Sequence, residues 1–589
     1  MKSKSTVLWF VLAVALAACL WIFDRYFSPV VAPAPALLPG MSADAVTEIQ
    51  IFPAAAREIT AVRTNKIWQL QAPFAYPAQA AAIDALLGTL EKISPQRLTA
   101  GELHGRNSDA EFGFANPQFS LTVAAGDQQW QLRIGNKTAP GDQVFVRVVG
   151  LDGVFVADAS WLALLPRTAN DWRDTALVDA AGDCDWIVIT NGTKVIELRR
   201  DATNHLWRLL RPLAARADGP RLAAALQQLR AARVVQFVTD DAKADLSSYG
   251  LQPAELAVWL GRGTNFFAAV HAGKNSPENP AQLFARREGF NSVLTVAKDA
   301  LTPWRGAVND FRDPHLLDLT APVAQIEVRG ETPFTLQQRG PNDWAVVGEK
   351  FSADAENVAA FLNLLAGFRV TEFVKDLNTA ADLQGFGLTA PARTITLRAV
   401  VGDTNNLLAQ LQFGAVETNR VFVKRAGEDF VYALATAEVN RLPEHGWEFR
   451  DRRLWNFSET NVAQVTLRQG GRTRQLLRTG TNAWTLATGS PGTINSPAIE
   501  EAVHRLGSLT VAGWVGRNIT TPEKYGLHPD NLQITVALTS GEKFTVDFGA
   551  ELSRTALAAV TLDGERWAFV FPVAPFQLVA TYLTIPPNP

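Results

Sequence analysis

Seven histidines are the residues best suited to acid–base or metal-binding chemistry in this sequence. They are His104, His205, His271, His315, His445, His504 and His528. No two of them stand two or four positions apart, so the spacing of a histidine metal motif is missing from the sequence. A lone histidine also needs a positioned partner before it can move a proton in catalysis. We therefore predict no catalytic residue, no metal site and no cofactor.

Motifs and charge lead to the same expectation. The sequence contains none of the motifs G-x-S-x-G, Walker A or H-E-x-x-H that mark common hydrolases and nucleotide-binding enzymes. Its net charge is −3, and its basic residues occur in pairs rather than in patches. Binding to a phosphate backbone requires clustered positive charge, so no nucleic-acid partner is expected. We predict that the protein is not an enzyme.

The first residues have the pattern of a membrane signal. Lys2 and Lys4 precede residues 6–23, a run of 18 residues without a charge. A helix of that length just spans a hydrocarbon core about 30 Å thick. Because the basic residues come first, the positive-inside rule predicts that the remaining chain is exported. We expect an uncleaved signal anchor over residues 1–26, a single pass through the inner membrane, and a periplasmic location for most of the chain.

Two other interpretations of this segment stay open. Leu16-Ala17-Ala18-Cys19 resembles a bacterial lipobox, which would place a lipid on Cys19. The apolar run continues beyond this cysteine, as in a spanning helix and unlike a mature lipoprotein. Ordinary cleavage of a signal peptide is the third interpretation.

A proline-rich stretch follows over residues 27–45. Pro29, Pro33, Pro35 and Pro39 disfavour a helix and favour extended chain. We expect this stretch to be a tether that holds the first folded domain away from the bilayer.

The remaining chain is self-similar with a period near 137 residues. An aromatic-Gly-apolar step before a proline recurs four times, and a tryptophan that follows a turn recurs with the same period. The glycines of the step are Gly113, Gly250, Gly387 and Gly526, and the tryptophans are Trp68, Trp207, Trp344 and Trp484. Independent markers that share one period indicate tandem duplication. A unit of this length is a domain rather than a solenoid repeat.

An aromatic-Arg-Asp step ends the first three copies. Its members are Trp172-Arg173-Asp174, Phe311-Arg312-Asp313 and Phe449-Arg450-Asp451. We expect the aromatic side chain to pack in a core, while the arginine and the aspartate cap or bridge the junction with the next copy. A shared ligand-binding arginine is the alternative.

The pattern within each copy indicates two antiparallel meanders and one helix. Short alternating runs, such as residues 324–328, predict strands with one buried face. Apolar residues at i, i+3, i+4 and i+7, as in Ile83, Leu86, Leu87 and Leu90, predict an amphipathic helix across the sheet. The predicted fold is α+β, with four tandem antiparallel-sheet-plus-helix domains after an N-terminal transmembrane helix. The predicted domains cover residues 46–180, 184–320, 322–459 and 461–589, the last with a degenerate C-terminal end.

Together these markers resemble the bacterial family called domain of unknown function 4340. The resemblance rests on the turn-plus-tryptophan, the helix, the aromatic-Gly step, an Ile-Gly strand end and the closing Arg-Asp, and it covers nearly all of residues 46–589. The family has no assigned activity, so the resemblance implies no catalytic residues. Its members often resemble partners of ABC-type transport systems related to gliding-motility exporters, which implies an accessory role beside such a system.

These observations predict a membrane-anchored, extracytoplasmic repeat protein that acts as a binding or scaffold module. Its expected partners are the membrane, through the N-terminal helix, and ABC transporter subunits or other envelope proteins. The alternative is an envelope hydrolase or a carbohydrate-binding protein in which one copy has specialised.

Overall fold

A computed structural model describes residues 9, 11–19, 21, 36–54, 56–98, 108–178, 184–319, 321–401 and 404–586. The chain divides into two compact units, Met1–Arg312 and Asp313–Pro589. Each unit contains two antiparallel sheets, which we number 1 to 4 in chain order, and the chain that forms each sheet is called repeat 1 to 4. The α+β class and the tandem repetition are thus confirmed.

Short strands separated by tight turns build every sheet. Sheet 1 consists of β1 (Glu48–Pro53), β2 (Ile59–Thr64), β3 (Ile67–Ala72), β4 (Tyr76–Pro77), β5 (Gln96–Leu98), β6 (Phe119–Ala125), β7 (Gln128–Lys137), β8 (Gln143–Val148) and β9 (Val154–Asp158). Sheet 2 consists of β10 (Trp186–Asn191), β11 (Lys194–Arg200), β12 (Trp207–Arg211), β13 (Ala215–Arg216), β14 (Val234–Thr239), β15 (Leu256–Arg262), β16 (Asn265–Asn275), β17 (Gln282–Arg287) and β18 (Val293–Ala297).

The second unit repeats this series. Sheet 3 consists of β19 (Gln325–Arg329), β20 (Phe334–Gly340), β21 (Asp343–Val346), β22 (Ser352–Ala353), β23 (Glu372–Lys375), β24 (Arg393–Val401), β25 (Thr404–Glu417), β26 (Arg420–Arg425) and β27 (Val431–Ala435). Sheet 4 consists of β28 (Val462–Gln469), β29 (Arg472–Gly480), β30 (Ala483–Leu486), β31 (Gly513–Arg517), β32 (Gln533–Leu538), β33 (Lys543–Leu552), β34 (Thr555–Leu562) and β35 (Glu565–Val570).

All four sheets share one strand order. In sheet 1 it is β4-β3-β2-β1-β6-β7-β8-β9-β5, and neighbouring strands are antiparallel. Two meanders therefore meet at their first strands, β1 and β6. Sheets 2 and 3 repeat this order, and sheet 4 differs only at one edge, where the described residues form no counterpart of β4.

One amphipathic helix per repeat lies between the two meanders in sequence and covers one face of the sheet. The helices are α1 (Ala80–Lys92), α2 (Ser108–Glu111), α3 (Gly219–Ala231), α4 (Ala355–Ala366), α5 (Ala380–Gly385), α6 (Thr436–Val439), α7 (Ser496–Gly507) and α8 (Val573–Tyr582), of which α1, α3, α4 and α7 are these amphipathic helices. The predicted stripe Ile83, Leu86, Leu87 and Leu90 is fully buried and joins the core of repeat 1. Burial of this stripe against the inward-facing strand residues is the main source of stability for each repeat.

The N-terminal segment lies partly outside the described residues. Residues 9, 11–19 and 21 of the predicted membrane helix are described and are helical, and Cys19 is exposed. Across the described part of the chain, no helix combines the length and the apolar character needed to cross a membrane. Residues 27–35 of the predicted tether also lie outside the described part.

The described end of the tether belongs to the core of repeat 1. Leu37 and Leu38 are fully buried, Met41 is nearly so, and Ala43–Ala45 forms a 3-10 turn. The backbone N–H of Leu37 donates to the carbonyl of Ile93, just after α1. This stretch therefore closes the end of the repeat rather than separating it from its surroundings.

A pair of apolar residues closes every repeat in this way. The backbone N–H of Leu177, Leu316 and Leu454 donates to the carbonyl that follows α3, α4 and α7 respectively, as Leu37 does after α1. The pairs are Leu37-Leu38, Leu177-Val178, Leu316-Leu317 and Leu454-Trp455, and all of these residues are buried except Leu454, which is half-buried. In repeats 2 to 4, the chain that leaves one repeat thus completes the core of the next.

At the C-terminal end of repeat 4, a helix and a buried arginine complete the core. Helix α8 packs against α7, and Leu583 and Ile585 are buried after it. Arg474 on β29 is 5% exposed and donates to the carbonyls of Thr493 and Thr584 at 2.6 and 2.7 Å. The register equates this position with apolar residues of the other repeats, namely Ile59, Ile196 and Phe334. In repeat 4 an arginine therefore replaces a core residue and binds the chain that follows α8.

We expect Arg474→Ala to loosen the C-terminal segment and to destabilise repeat 4 by about 2 kcal/mol, because carbonyls bound to a buried cation lose their donor. Hydrogen exchange followed by mass spectrometry should show faster exchange in residues 573–586. Arg472→Ala is the control, because Arg472 donates to the Pro586 carbonyl from a less buried position. Equal effects of the two substitutions would show that Arg474 has no special role.

Candidate functional site

The aromatic residue of each aromatic-Arg-Asp step belongs to the core of the repeat that it ends. Trp172, Phe311 and Phe449 are at most 2% exposed. Phe449 lies 5.4 Å from Phe361 of α4 and 5.7 Å from Phe334 of β20, measured between ring centroids. This burial fixes the backbone at the point where the neighbouring arginine leaves the repeat.

The aspartate of the step caps the first turn of the following chain. Asp174 accepts a hydrogen bond from the backbone N–H of Ala176, at 2.9 Å between oxygen and nitrogen. Asp313 and Asp451 accept the same bond from the residue two positions later. The aspartate thus directs the chain into the buried leucine pair of the next repeat.

Arg173 joins repeats 1 and 2 and is completely buried. Its guanidinium carbon lies 4.2 Å from the ring centroid of Tyr76 in repeat 1 and 3.6 Å from that of Phe237 in repeat 2. The two terminal nitrogens form a bidentate contact with the carboxylate of Asp240, at 2.8 and 3.1 Å. A further bond of 2.7 Å reaches the hydroxyl of Ser292, which itself donates to Asp240.

This arrangement satisfies a cation that burial would otherwise make unfavourable. A buried charge is tolerated only when it is paired and hydrogen-bonded, and aromatic faces add attraction for a cation. The aromatic groups come from both repeats, whereas the carboxylate and the hydroxyl come from repeat 2 alone. Tyr76 also contacts Phe237 and Phe290 directly, with centroid distances of 5.5 and 5.0 Å. The junction therefore has one defined geometry.

Arg450 occupies the corresponding place between repeats 3 and 4. Its guanidinium carbon lies 5.0 Å from the ring centroid of Phe351, 5.6 Å from that of Trp514 and 4.5 Å from that of Trp567. Burial lowers its pKa, and the neighbouring Asp563 offsets this only in part. Phe351 and Trp514 occupy the sheet positions of Tyr76 and Phe237, as the pairing of the strands shows.

A second arginine supplies the ion pairs at this junction. Arg517 of β31 makes a bidentate contact with Glu565, at 2.8 and 3.0 Å, and a bond of 2.6 Å to Glu349 of repeat 3. The hydrogen bond from Arg517 lowers the pKa of the Glu565 carboxyl. The register places Arg517 where repeat 2 has Asp240. The second junction thus has an arginine where the first has the carboxylate of Asp240, and its carboxylates lie at other positions.

Arg312 is the third arginine of the predicted set. It is 3% exposed, its Nη1 lies 3.3 Å from the amide oxygen of Asn309, and its backbone pairs with Ala217. Ala78 and Ala353 pair with Arg173 and Arg450 in the same manner. The backbones of all three arginines thus pair with the equivalent alanine of their repeats.

The tryptophan markers fasten the first meander to the helix. The indole N–H of Trp68 donates to Asp84 of α1 at 2.9 Å, and that of Trp484 donates to Glu500 of α7 at 2.8 Å. Trp344 is buried, whereas Trp207 is only half-buried. These residues are core anchors.

Backbone geometry requires glycine at the marker positions. Gly113, Gly250, Gly387 and Gly526 have φ between +67° and +80°, the left-handed region that favours glycine. The carbonyl of the preceding aromatic residue lies against a second repeated glycine, and a Cβ atom there would approach that oxygen to between 1.9 and 2.3 Å. These second glycines are Gly135, Gly273, Gly414 and Gly549. The two glycines of each copy therefore depend on each other.

A cleft in repeat 4 is lined by one of the seven histidines, His528. His528 is exposed and lines an open cleft of about 430 Å³ in repeat 4, together with Asp547 and Arg566. Asp547 is bound to Arg566 at 2.9 Å and to the side-chain amide of Gln533 at 2.8 Å. Among the described residues, no group of three or more His, Cys, Asp or Glu is placed to hold a metal ion.

Burial raises the pKa of the Cys184 thiol, which is 4% exposed.

Sequence reasoning missed the residues that surround the junction arginines. Tyr76 and Phe237 lie on short edge strands, and Phe351 immediately precedes one. A signal was available for the leucine pairs, because Leu37, Leu177, Leu316 and Leu454 share the period of the markers. The aromatic residues around the junction arginines share only their residue type, because each comes from a different part of the sheet, so no sequence spacing identifies them.

We expect Arg173→Ala to destabilise the junction of repeats 1 and 2 by about 3 kcal/mol, because Asp240 loses its partner and the rings lose a buried cation. Hydrogen exchange in the full chain should accelerate in β4 and β14. Arg505→Ala is the control, because Arg505 forms an exposed pair with Glu501. An effect no larger than that of the control would refute a role of Arg173 in joining the repeats.

The junction of repeats 3 and 4 should weaken in acid. Because the folded state lowers the pKa of Glu565 from its ordinary value of 4.5, its contribution is complete above that value and is lost as the pH falls through the lower folded pKa. The thermal midpoint of the wild type should therefore fall more steeply than that of Glu565→Gln between about pH 5 and pH 3. Parallel profiles would contradict this role, and Glu501→Gln serves as the exposed control.

Comparison with protein families places these features in a known group. The model of the family described as Domain of unknown function (DUF4340) matches residues 68–203, 207–379 and 344–529, which together make up more than half of the chain. The three matches begin at Trp68, Trp207 and Trp344, three of the four tryptophan markers. No curated protein matches the chain. The chain therefore belongs to the DUF4340 family and carries its domain in tandem copies.

Proposed function

We propose that this protein is a non-enzymatic, membrane-anchored scaffold that binds other proteins of the bacterial envelope. Residues 6–23 would anchor it in the inner membrane with the repeats in the periplasm. The resemblance noted from the sequence supports a role beside an ABC-type transport system. The anchor is an uncleaved helix in this proposal, and a lipid on Cys19 is the alternative.

The observation that carries the proposal is the way in which the repeated charges are used. Arg173 and Arg450 belong to a marker that recurs at the ends of repeats. Arg173 is completely buried between repeats 1 and 2, and the Arg450 side chain, 13% exposed, lies among aromatic rings between repeats 3 and 4. Such contacts give neighbouring repeats one fixed arrangement. A scaffold needs this property, because fixed spacing between repeats presents several surfaces to partners at once.

Pull-down of the tagged full chain from detergent-solubilised membranes tests the proposal. We expect recovery of envelope proteins, including permease or ATPase subunits of a transporter, at levels at least about tenfold above an unrelated membrane-anchored control. Recovery of no envelope protein above that control would refute the scaffold role. Recovery of envelope proteins without transporter subunits would refute only the placement beside a transporter.

The anchor has a separate test. Cys19→Ala should leave the protein in the membrane fraction after high-salt washing, because a spanning helix does not depend on the cysteine. Ser3→Ala is the matched control outside the apolar run. Release of the Cys19→Ala protein into the soluble fraction would show that a lipid is the anchor.

A further inference from the structure

An aromatic cluster lies on the face of sheet 2 that points away from α3. Trp186 of β10 stacks on Phe266 of β16 at a centroid distance of 4.0 Å, and Phe266 lies 5.6 Å from Trp259 of β15. Phe266 is 40% exposed, and both tryptophans are half-buried. We call these three residues the aromatic face of repeat 2.

The other repeats have polar residues at the same positions. The register equates Trp186 with Glu48, Gln325 and Gln464. It equates Trp259 with Thr122, Thr396 and Thr535. The fold therefore forms three times without aromatic residues at these two positions, so the formation of a sheet does not require them there. Large apolar groups that remain partly exposed on one copy indicate a binding surface.

The aromatic face is held in place before any partner binds. Gly261 leaves room for the rings, because a Cβ atom there would lie 3.1 Å from Trp186 and 3.2 Å from Phe266. The indole N–H of Trp186 donates to Glu197 at 3.1 Å, and Trp259 contacts His271 edge-on. Fixed rings lose little conformational entropy on binding, which favours affinity.

Positive charge lies along one side of the aromatic face. Residues 194–211, which form β11, β12 and their turn, contain five Lys or Arg and two Asp or Glu, in a chain whose net charge is −3. Arg199 lies over the ring of Trp186, at 4.7 Å from its centroid. The side chains of Arg208 and Arg211 on β12 are 53% and 72% exposed, and they lie 3.7 Å from Asp201 and 3.4 Å from Glu197 respectively. An acidic partner would be attracted to this side of the sheet.

We propose that the aromatic face of repeat 2 and its arginine-rich side bind a protein segment with an apolar centre flanked by acidic residues. Trp and Arg are the residue types that contribute most to protein interfaces, and an apolar centre with a charged rim is the usual composition of such a surface. This inference rests on the proposed scaffold function and names the repeat that carries one of its contacts.

Site-specific photo-cross-linking in the full chain tests this surface. A photoreactive phenylalanine analogue replaces Phe266 in cells, and the same analogue at Leu407 is the control. Leu407 is 54% exposed and occupies the corresponding strand position of repeat 3. We expect a protein cross-link at position 266 that exceeds the control at least about tenfold and maps to a segment with acidic residues.

Two paired variants check the chemistry of the contact. Trp186→Gln with Trp259→Thr introduces residues that repeats 3 and 4 carry at these positions, so the fold accommodates them, and it should abolish the cross-link. Arg208→Glu with Arg211→Glu changes only exposed side chains and should weaken the cross-link about tenfold. Reversing the acidic charges of the mapped segment should restore the cross-link to the arginine variant.

The outcomes separate this inference from the proposed function. A cross-link that does not exceed the control, or that reaches lipid, glycan or a second copy of the chain, overturns the inference. Equal cross-linking by the arginine variant also overturns it. If wild type and tryptophan variant recover the same envelope proteins in the pull-down, the scaffold function stands and this surface is wrong. If neither recovers any envelope protein, the scaffold function itself fails.

Discussion

Burial of an arginine between two folded repeats is the constraint on which the rest of this structure depends. A guanidinium removed from water must find carboxylates, hydroxyls or aromatic faces in fixed positions, or the junction is unfavourable. Arg173 meets this condition with rings from both repeats and a carboxylate from one of them. The aromatic residue before the arginine anchors it in the first core, and the aspartate after it starts the chain of the second. A single three-residue step therefore connects two cores and sets their arrangement.

The two junctions meet the same condition with different residues. At the first, Asp240 pairs with the junction arginine itself. At the second, Arg450 is surrounded by three aromatic rings, while Arg517 at the position of Asp240 binds glutamates on both sides. Changes at one position of a buried charge network require compensation at others. This coupling explains why the arginines recur in the sequence, whereas the groups around them do not.

Repeats 1 and 4 are each completed by a chain segment that lies outside the junctions between repeats. The first copy receives its leucine pair from the chain before β1, where the sequence indicated only a proline-rich tether. The last copy replaces a core residue by Arg474, which binds the carbonyls of the C-terminal segment. On the side of sheet 2 that points away from α3, the residues Trp186, Trp259 and Phe266 form the aromatic face.

The sequence by itself determined the number of copies, their α+β class, the buried stripe of α1 and the glycines with positive φ. These features follow from local periodicity and from backbone conformations that only some residues adopt, so their signal lies within a few residues of each position. Only the tertiary structure decided that Arg173 meets Tyr76 and Asp240, that Leu37 belongs to a core, and that Trp186, Trp259 and Phe266 share one exposed face. Each of these contacts joins strands that are distant in sequence, and the register that brings them together is a property of the folded sheet.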